Sequence, residues 1–330
     1  MHQFIHSQWQ KRGLWAWLLS PISILIYSLA WLKRKGYQLS VFKAQRLPLP
    51  IIVVGNLSVG GTGKTPLVIY LCQLLKEKGF RPAIISRGYK SKEGQQSQLV
   101  TALSVATQVG DEAVLLAQRT GCPVMIGANR VQSVKDLIKQ TDCDIVISDD
   151  GFQHLKLHRD IDILVRDASR GYGNGWCLPS GPLRESFSAQ NDAHLVVHNG
   201  GEKAGKDQHF AMALHPTNPF KLSTQEESSY DSLSCMHFNA VAAIGNPERF
   251  FSMLESHSIT IARHPFVDHH AFRADDLDFG DDKPLIMTEK DAVKCAPLSV
   301  NNPIWVVPVT AALSPKFDTA LLDKLKSLKP

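Results

Sequence analysis

A glycine-rich turn between an apolar strand and an apolar helix constrains this chain most. Residues 51–54 are apolar and β-branched, which is typical of a buried parallel strand. From Pro66 onward, leucines recur at helical spacing, and a proline in the first turn of a helix costs no hydrogen bond. The turn ends in the residues Ser58, Val59, Gly60, Gly61, Thr62, Gly63, Lys64 and Thr65.

A strand, a glycine turn, a Lys-Thr pair and a helix in this order predict a nucleotide-phosphate site. Backbone N–H groups and the helix N-terminus surround the anion, Lys64 reaches the outer phosphates, and the Thr65 hydroxyl can ligate Mg²⁺. Ser58 stands where the usual pattern has a glycine. The alternative is a turn that only lets the helix pack closely on the strand. We favour the phosphate site because strand and helix both flank the turn.

Charge is distributed unevenly along the 330 residues. The first 46 residues contain seven Lys or Arg and no acidic residue, although the formal net charge of the whole chain is only +5. A basic, tryptophan-bearing N-terminus predicts contact with an anionic membrane surface, and no nucleic-acid signature accompanies it. The six cysteines include no C-x-x-C pair, which favours a reducing compartment.

Residues 14–32 carry no charge and are long enough to span a bilayer. Three features favour a helix that lies in the membrane interface: Pro21 interrupts the segment, basic residues flank both ends, and the pattern has two faces. A single span and a buried core helix are the alternatives. One predicted face is Trp15, Leu18, Leu19, Ile22, Leu25, Ile26 and Leu29, and the other is Ala16, Ser20, Ser23, Tyr27 and Ala30.

Strands alternate with helices through the rest of the chain, which predicts a doubly wound parallel sheet. We expect an α/β fold of the P-loop NTPase type, with a second, smaller α/β lobe and an N-terminal amphipathic membrane helix. The predicted divisions are a basic membrane-anchoring segment at 1–46, a P-loop core at 47–200, a linker with edge strands at 201–238 and the smaller lobe at 239–330.

Three acidic residues occupy positions typical of a magnesium or reaction site. Asp149 and Asp150 directly follow an apolar strand, where nucleotide-binding proteins place the aspartate that holds Mg²⁺, although a simple turn is the alternative. Asp111 follows a glycine at a predicted helix start, where it is either a reactive carboxylate or the helix N-cap.

Two further clusters are candidates. Glu185 closes a glycine- and proline-rich loop, and Arg184 beside it could simply neutralise it. Asp268, His269 and His270 place two imidazoles beside a carboxylate, which is either a solvated turn or the position of a catalytic histidine.

Seven motifs occur in the order GNLSVGGTGKTP, SRGY, VGDE, SDDGFQH, GNGWCLPSGPLRE, DHH and MTEKDAVK. In this order they resemble the tetraacyldisaccharide 4′-kinase family of lipid A synthesis, over nearly the whole chain. The resemblance implies an ATP- and Mg²⁺-dependent kinase on the cytosolic face of the bacterial inner membrane. It also implies a substrate, a tetraacylated glucosamine disaccharide 1-phosphate, whose 4′-hydroxyl is phosphorylated to give lipid IVA.

The resemblance implies a role for each matching residue. Asp111 resembles the family's catalytic base toward the sugar hydroxyl, and His269 resembles the histidine that works with it, with His270 as the alternative. Asp149, Asp150 and Glu185 match acids associated with Mg²⁺, whereas Lys64 and Thr65 match the phosphate contacts.

Two rival functions are a membrane-tethered nucleotide switch and a soluble kinase of a small metabolite. Switches of the deviant P-loop class carry a lysine where this chain has Val59. The expected partners are the acylated lipid and the inner-membrane surface, with no nucleic acid and no obligatory protein partner.

Overall fold

The computed structural model describes residues 8–88, 96–201 and 208–328. Tyr89 of the SRGY motif and most of the polar loop after it lie outside these residues. The helices are α1 (Leu14–Gln38), α2 (Lys64–Glu77), α3 (Ala106–Val109), α4 (Asp111–Thr120), α5 (Arg130–Gln140), α6 (Tyr230–Leu233), α7 (Pro247–Ser256), α8 (Glu289–Cys295) and α9 (Pro315–Ser327), with 3₁₀ turns at Phe187–Asp192 and Ala274–Leu277.

Fourteen strands are present in the described ranges. They are β1 (Ile51–Gly55), β2 (Pro82–Ser86), β3 (Gln98–Val100), β4 (Val124–Ile126), β5 (Ile145–Asp149), β6 (Ile161–Asp167), β7 (Leu195–Asn199), β8 (His209–Pro216), β9 (Phe220–Lys221), β10 (His237–Ala242), β11 (Thr260–Pro265), β12 (Leu285–Thr288), β13 (Ile304–Val307) and β14 (Val309–Leu313).

The larger sheet has nine strands in the order β14-β8-β7-β6-β1-β5-β2-β4-β3. Its inner pairs are parallel, and only β3 and β14 at the two edges pair antiparallel with their neighbours. The predicted doubly wound α/β fold is confirmed. Strand β1 lies between β5 and β6, so the glycine turn after β1 opens at a point where ligands bind in open sheets of this kind.

Strand β1 forms because its side chains are buried on both faces of the sheet. All five residues are inaccessible to solvent, as expected for β-branched side chains in a central parallel strand. On one face, the leucines of α2 pack against the same core as Phe317 and Leu321 of α9. The opposite face is covered by α5.

The smaller sheet has the order β11-β10-β12-β13-β9, with β9 antiparallel to β13 and the other pairs parallel. It forms the expected second α/β lobe. The predicted division of the chain into four segments stays a prediction, but the strand pairings show one connection that crosses it. Strand β8 lies within the predicted linker and β14 within the predicted smaller lobe, yet they pair with each other at the edge of the larger sheet.

Helix α1 rests on the larger lobe through small and polar residues. Ala16, Ser23 and Arg34 are its buried residues, and the Ser23 hydroxyl donates to the Cys177 carbonyl at 2.9 Å. The expectation that Pro21 interrupts the segment is wrong, because the helix continues through it.

Most of the predicted apolar face of α1 is exposed. Leu18 and Leu25 are each 60% exposed, which excludes the buried-core alternative. By length and composition the helix could cross a membrane. The structure thus provides an apolar helix that is suited to membrane association.

Candidate active site

The glycine turn after β1 closes around positions that only glycine can occupy. Gly60 and Gly63 have φ values of +103° and +94°. A Cβ on Gly63 would lie 2.6 Å from the Asn199 amide nitrogen, which itself donates to the Thr62 carbonyl at 3.0 Å. Inside the turn, the Asn56 side chain donates to the Ser58 carbonyl at 2.7 Å. These bonds hold the turn in shape and start α2 at Lys64.

Two other segments border the turn. The Val59 amide donates to the Pro182 carbonyl at 2.9 Å, so the glycine- and proline-rich loop forms one wall. From the smaller lobe, a Cβ on Gly245 would lie 3.0 Å from the Gly61 nitrogen. The phosphate turn therefore lies in a cleft between the two lobes.

Asp149 is the last residue of β5 and Asp150 follows it, in contrasting environments beside the turn. Burial, together with the smaller effect of the Glu112 carboxylate, raises the pKa of Asp149 to about 7. Burial would also raise the pKa of Asp150, but Lys64 and Arg184 outweigh it and hold the value at about 2. Asp150 has a φ of +49°, a strained conformation of the kind that collects at functional sites.

The ion pairs beside the phosphate turn correct one expectation from the sequence. Arg184 does not neutralise its neighbour Glu185; its Nη1 lies 2.9 Å from Asp150 Oδ2. Asp150 in turn lies 3.5 Å from the Lys64 ammonium. Glu185 is instead paired with Arg34 of α1, whose Nη2 lies 2.7 Å from Glu185 Oε2.

The turn and Asp149 fit a magnesium ion that is shared with phosphate. Asp149 is buried, and its Oδ1 has no hydrogen-bond partner among the residues described. Thr65 follows Lys64 in the first turn of α2, where P-loop proteins place the hydroxyl ligand. No cluster of three or more His, Cys, Asp or Glu side chains suited to a metal occurs in the described ranges. Mg²⁺ commonly takes one or two protein ligands and completes its shell with phosphates and water.

Asp111 and His269 meet across the cleft, as the sequence prediction requires of cooperating residues. His269 Nδ1 lies 3.1 Å from Asp111 Oδ2, and 158 positions separate the two residues in the chain. His270 turns away and contacts Asp276 at 3.0 Å, so only His269 faces Asp111. The N-cap interpretation of Asp111 is wrong: Gly110 is the N-cap, and Asp111 is the first helical residue.

Lys290 is a third member of this group, and its position in the sequence indicated no role. Its Nζ lies 3.2 Å from His269 Nε2 and 3.0 Å from Glu112 Oε1. An ammonium only donates, so His269 Nε2 accepts and the Nδ1 proton points to Asp111. Burial would raise the pKa of Asp111, but His269 and Lys290 lower it to about 2. Asp111 is therefore an ionised carboxylate in a buried site.

Several residues of the candidate site could not be predicted from the sequence, because the residues that they contact are remote in the chain. Lys290 belongs to the motif MTEKDAVK, and that motif was the only signal for it. Arg34 gave no signal beyond membrane-facing charge. Asn199 and Gly245 gave none.

A phosphate-binding turn at the carboxyl edge of a parallel sheet, with Lys64 and an unpaired aspartate oxygen beside it, defines a nucleotide-binding protein of the P-loop class. A family model described as tetraacyldisaccharide-1-P 4′-kinase matches residues 15–326. The chain belongs to this family.

Individual relatives agree with the family model. The chain is 44% identical over 325 residues to the tetraacyldisaccharide 4′-kinase of Methylobacillus flagellatus, covering 98% of this chain and 95% of that protein. It is also 44% identical over 322 residues to the enzyme of that name from Actinobacillus succinogenes, covering 97% and 98%. A crystal structure of LpxK from Aquifex aeolicus in complex with ATP superposes with a TM-score of 0.81 at 27% identity, covering 94% of this chain and 99% of that one.

Proposed function

We propose that this protein transfers the γ-phosphoryl group of ATP to the 4′-hydroxyl of a tetraacylated glucosamine disaccharide 1-phosphate, giving lipid IVA in lipid A synthesis. The observation that carries the proposal is the Asp111–His269 contact across the cleft. It supplies a proton acceptor beside a phosphate turn, which a nucleotide switch does not need. The family relatives bear the name of this activity, and the Aquifex relative was crystallised with ATP.

In the proposed reaction the backbone amides from Ser58 to Thr65 and the Lys64 ammonium hold the phosphates of ATP. Bound Mg²⁺ would neutralise phosphate charge, and Thr65 and Asp149 are the residues that fit it. Phosphoryl transfer relies mainly on such positioning and charge neutralisation. That Asp150 and Glu185 also contact the metal stays a prediction, since both carboxylates are engaged with arginines.

Asp111 accepts the proton of the sugar hydroxyl as that oxygen attacks phosphorus. His269 holds Asp111 by donating from Nδ1, and Lys290 fixes the ring by donating to Nε2. A low pKa keeps Asp111 ready to accept at neutral pH, although it lowers its intrinsic basicity. The arrangement favours orientation of the hydroxyl over strong basicity.

We further propose that the protein acts at the cytosolic face of the inner membrane, with α1 lying in the lipid interface. An exposed apolar helix flanked by lysines supports this placement. Such a helix would hold the site where the sugar head of an acylated lipid leaves the bilayer.

Transfer of ³²P from ATP to a tetraacyl disaccharide 1-phosphate in detergent micelles tests the proposal. The purified protein is expected to label the lipid at its 4′ position. A protein that binds MgATP but leaves the lipid unlabelled would contradict it.

Variants of α1 distinguish the rival functions. Deleting the helix would also remove Ser23 and Arg34 from their buried contacts, so Leu18→Glu with Leu25→Glu on the exposed face is the cleaner change. A lipid kinase is expected to lose vesicle binding and turnover of lipid in membranes. A soluble metabolite kinase would keep full activity, and a switch would show no lipid transfer before or after the change.

A further inference from the structure

Arg34 behaves unlike the lysines on either side of it. Lys33 and Lys35 are exposed, whereas Arg34 is only 9% exposed. Its Nε donates to Glu185 Oε2 at 2.9 Å, and its Nη1 donates to Asp192 Oδ2 at 2.9 Å. The guanidinium carbon lies 5.1 Å from the centre of the buried Phe152 ring. Because its neighbours are Glu185, Asp192 and the Phe152 ring, the Arg34 guanidinium points into the protein and is not available to lipid headgroups.

The contacts continue from Glu185 to the phosphate turn. Glu185 Oε1 accepts from Gln153 Nε2 at 2.9 Å, and Gln153 Oε1 lies 3.5 Å from Arg184 Nη1. The same Arg184 nitrogen pairs with Asp150, which lies 3.5 Å from Lys64 Nζ. A continuous series of polar side chains thus joins the apolar helix α1 to the lysine of the turn.

Each member of the series limits where the next one can lie. Glu185 is 6% exposed, so without Arg34 its buried charge would lose the guanidinium that donates to it. The Glu185 carboxylate would then attract the remaining donors near it, Gln153 and Arg184. A shift of Arg184 toward Glu185 would weaken the pairing of Arg184 with Asp150. Such a displacement of Arg184 matters because phosphoryl transfer depends on the placement of the charged groups.

We propose that Arg34 is a positioning residue for the nucleotide site, acting through Glu185 to set Asp150 and Lys64. Helix α1 then has two roles: it supports the nucleotide site, and it contacts the lipid. The turnover assay of this proposal rests on the proposed function. The nucleotide-binding assay does not depend on that function.

The experiment compares Arg34→Gln with Asp192→Asn in the full-length protein. Asp192 contacts the same guanidinium but is not in the series that leads to Lys64, so Asp192→Asn is the matched control. The measurements are kcat and the KM for lipid in mixed micelles, the Kd for MgATP by titration calorimetry, and sedimentation with phosphatidylglycerol vesicles. Arg34→Gln is expected to lower kcat about tenfold and to weaken MgATP binding severalfold, about 1.4 kcal/mol for the tenfold change. The KM for lipid and vesicle binding are expected to stay within about twofold of wild type.

Glu185→Gln and the double variant test the route of the effect. If Arg34 acts through Glu185, the double variant is expected to be no worse than Glu185→Gln alone. Equal kcat and equal MgATP Kd for Arg34→Gln and Asp192→Asn would overturn the proposal, as would additive effects in the double variant. If Arg34→Gln does not fold, Arg34→Lys keeps the charge but not the branched contact, and is expected to show a smaller loss in both measurements. If wild type fails to label lipid, the proposed function fails, and the MgATP comparison still decides the role of Arg34.

Discussion

Replacing Asp111 by asparagine separates its proposed reaction role from its structural one. Asparagine keeps an oxygen that can accept the Glu112 amide, as Asp111 Oδ1 does at 2.9 Å, but it cannot accept a proton. General-base catalysis contributes about 10²- to 10⁴-fold, so kcat is expected to fall by that factor, about 3 to 5 kcal/mol of transition-state stabilisation. The KM for ATP is expected to stay nearly unchanged, because the lost function is proton acceptance and not nucleotide binding.

The same change has a calculable effect on stability. The pKa of Asp111 falls from an ordinary 3.8 to about 2, which corresponds to stability on the order of 2 kcal/mol at neutral pH. Because the folded pKa is lowered, this stability is present above about pH 4 and is lost as pH falls toward 2. The difference in unfolding free energy between wild type and Asp111→Asn is therefore expected to narrow as pH falls from about 4 toward 2.

Steady-state kinetics, with urea unfolding at several pH values, check both effects. Asp276→Asn is the matched control, because Asp276 holds His270 at 3.0 Å as Asp111 holds His269, and the proposed mechanism gives neither Asp276 nor His270 a role. It is expected to leave kcat unchanged. If Asp111→Asn keeps kcat within about fivefold of wild type while folding normally, Asp111 is structural and the proposed mechanism is refuted.

Four further outcomes are expected. Lys64→Met should lower kcat at least about 10²-fold without loss of fold, since it removes a phosphate contact; phosphate-transfer rates and melting temperature measure this. Asp149→Asn should raise the Mg²⁺ concentration needed for half-maximal activity, and an unchanged titration curve would exclude Asp149 as a ligand. Lys290→Met should lower kcat about tenfold with little change in the KM for ATP, because His269 loses the donor that fixes its ring; a wild-type kcat would show that the ring needs no such support. Binding to anionic vesicles should weaken with salt and weaken further in Lys33→Gln with Lys35→Gln, and salt-independent sedimentation would argue against an electrostatic contribution.

The nucleotide half of the fold was predictable because its signals are local. Four β-branched residues, a glycine turn and leucines at helical spacing specify β1 and α2 within one short stretch. Helix α7 has equally local signals: a proline stands in its first turn, and its buried residues Phe250, Phe251 and Leu254 recur at helical spacing. In both places, local hydrophobic pattern and proline position agree with the tertiary structure.

The pairings between distant residues were not predictable on the same basis. Nothing near Arg184 indicates that it turns to Asp150, since an adjacent glutamate offers a simpler partner. Arg34 lies among lysines in a segment whose composition predicts membrane contact, and only the packing of α1 on the larger lobe reveals its buried role. The Asp111–His269 contact was inferred from family motifs, because no periodicity relates residues 158 positions apart.

The antiparallel pairing of β8 with β14 has a consequence for how the protein is made. The smaller lobe leaves the larger sheet at β8 and returns at β14, so it is inserted between the edge strand and the strand next to it. Helix α9 then places Phe317 and Leu321 in the core beneath α2. During synthesis the nucleotide-binding sheet therefore stays incomplete until residues 309–327 have been translated, and the smaller lobe has the chance to fold first. Premature termination after residue 308 would damage the nucleotide lobe, although every residue of its phosphate turn had been translated long before.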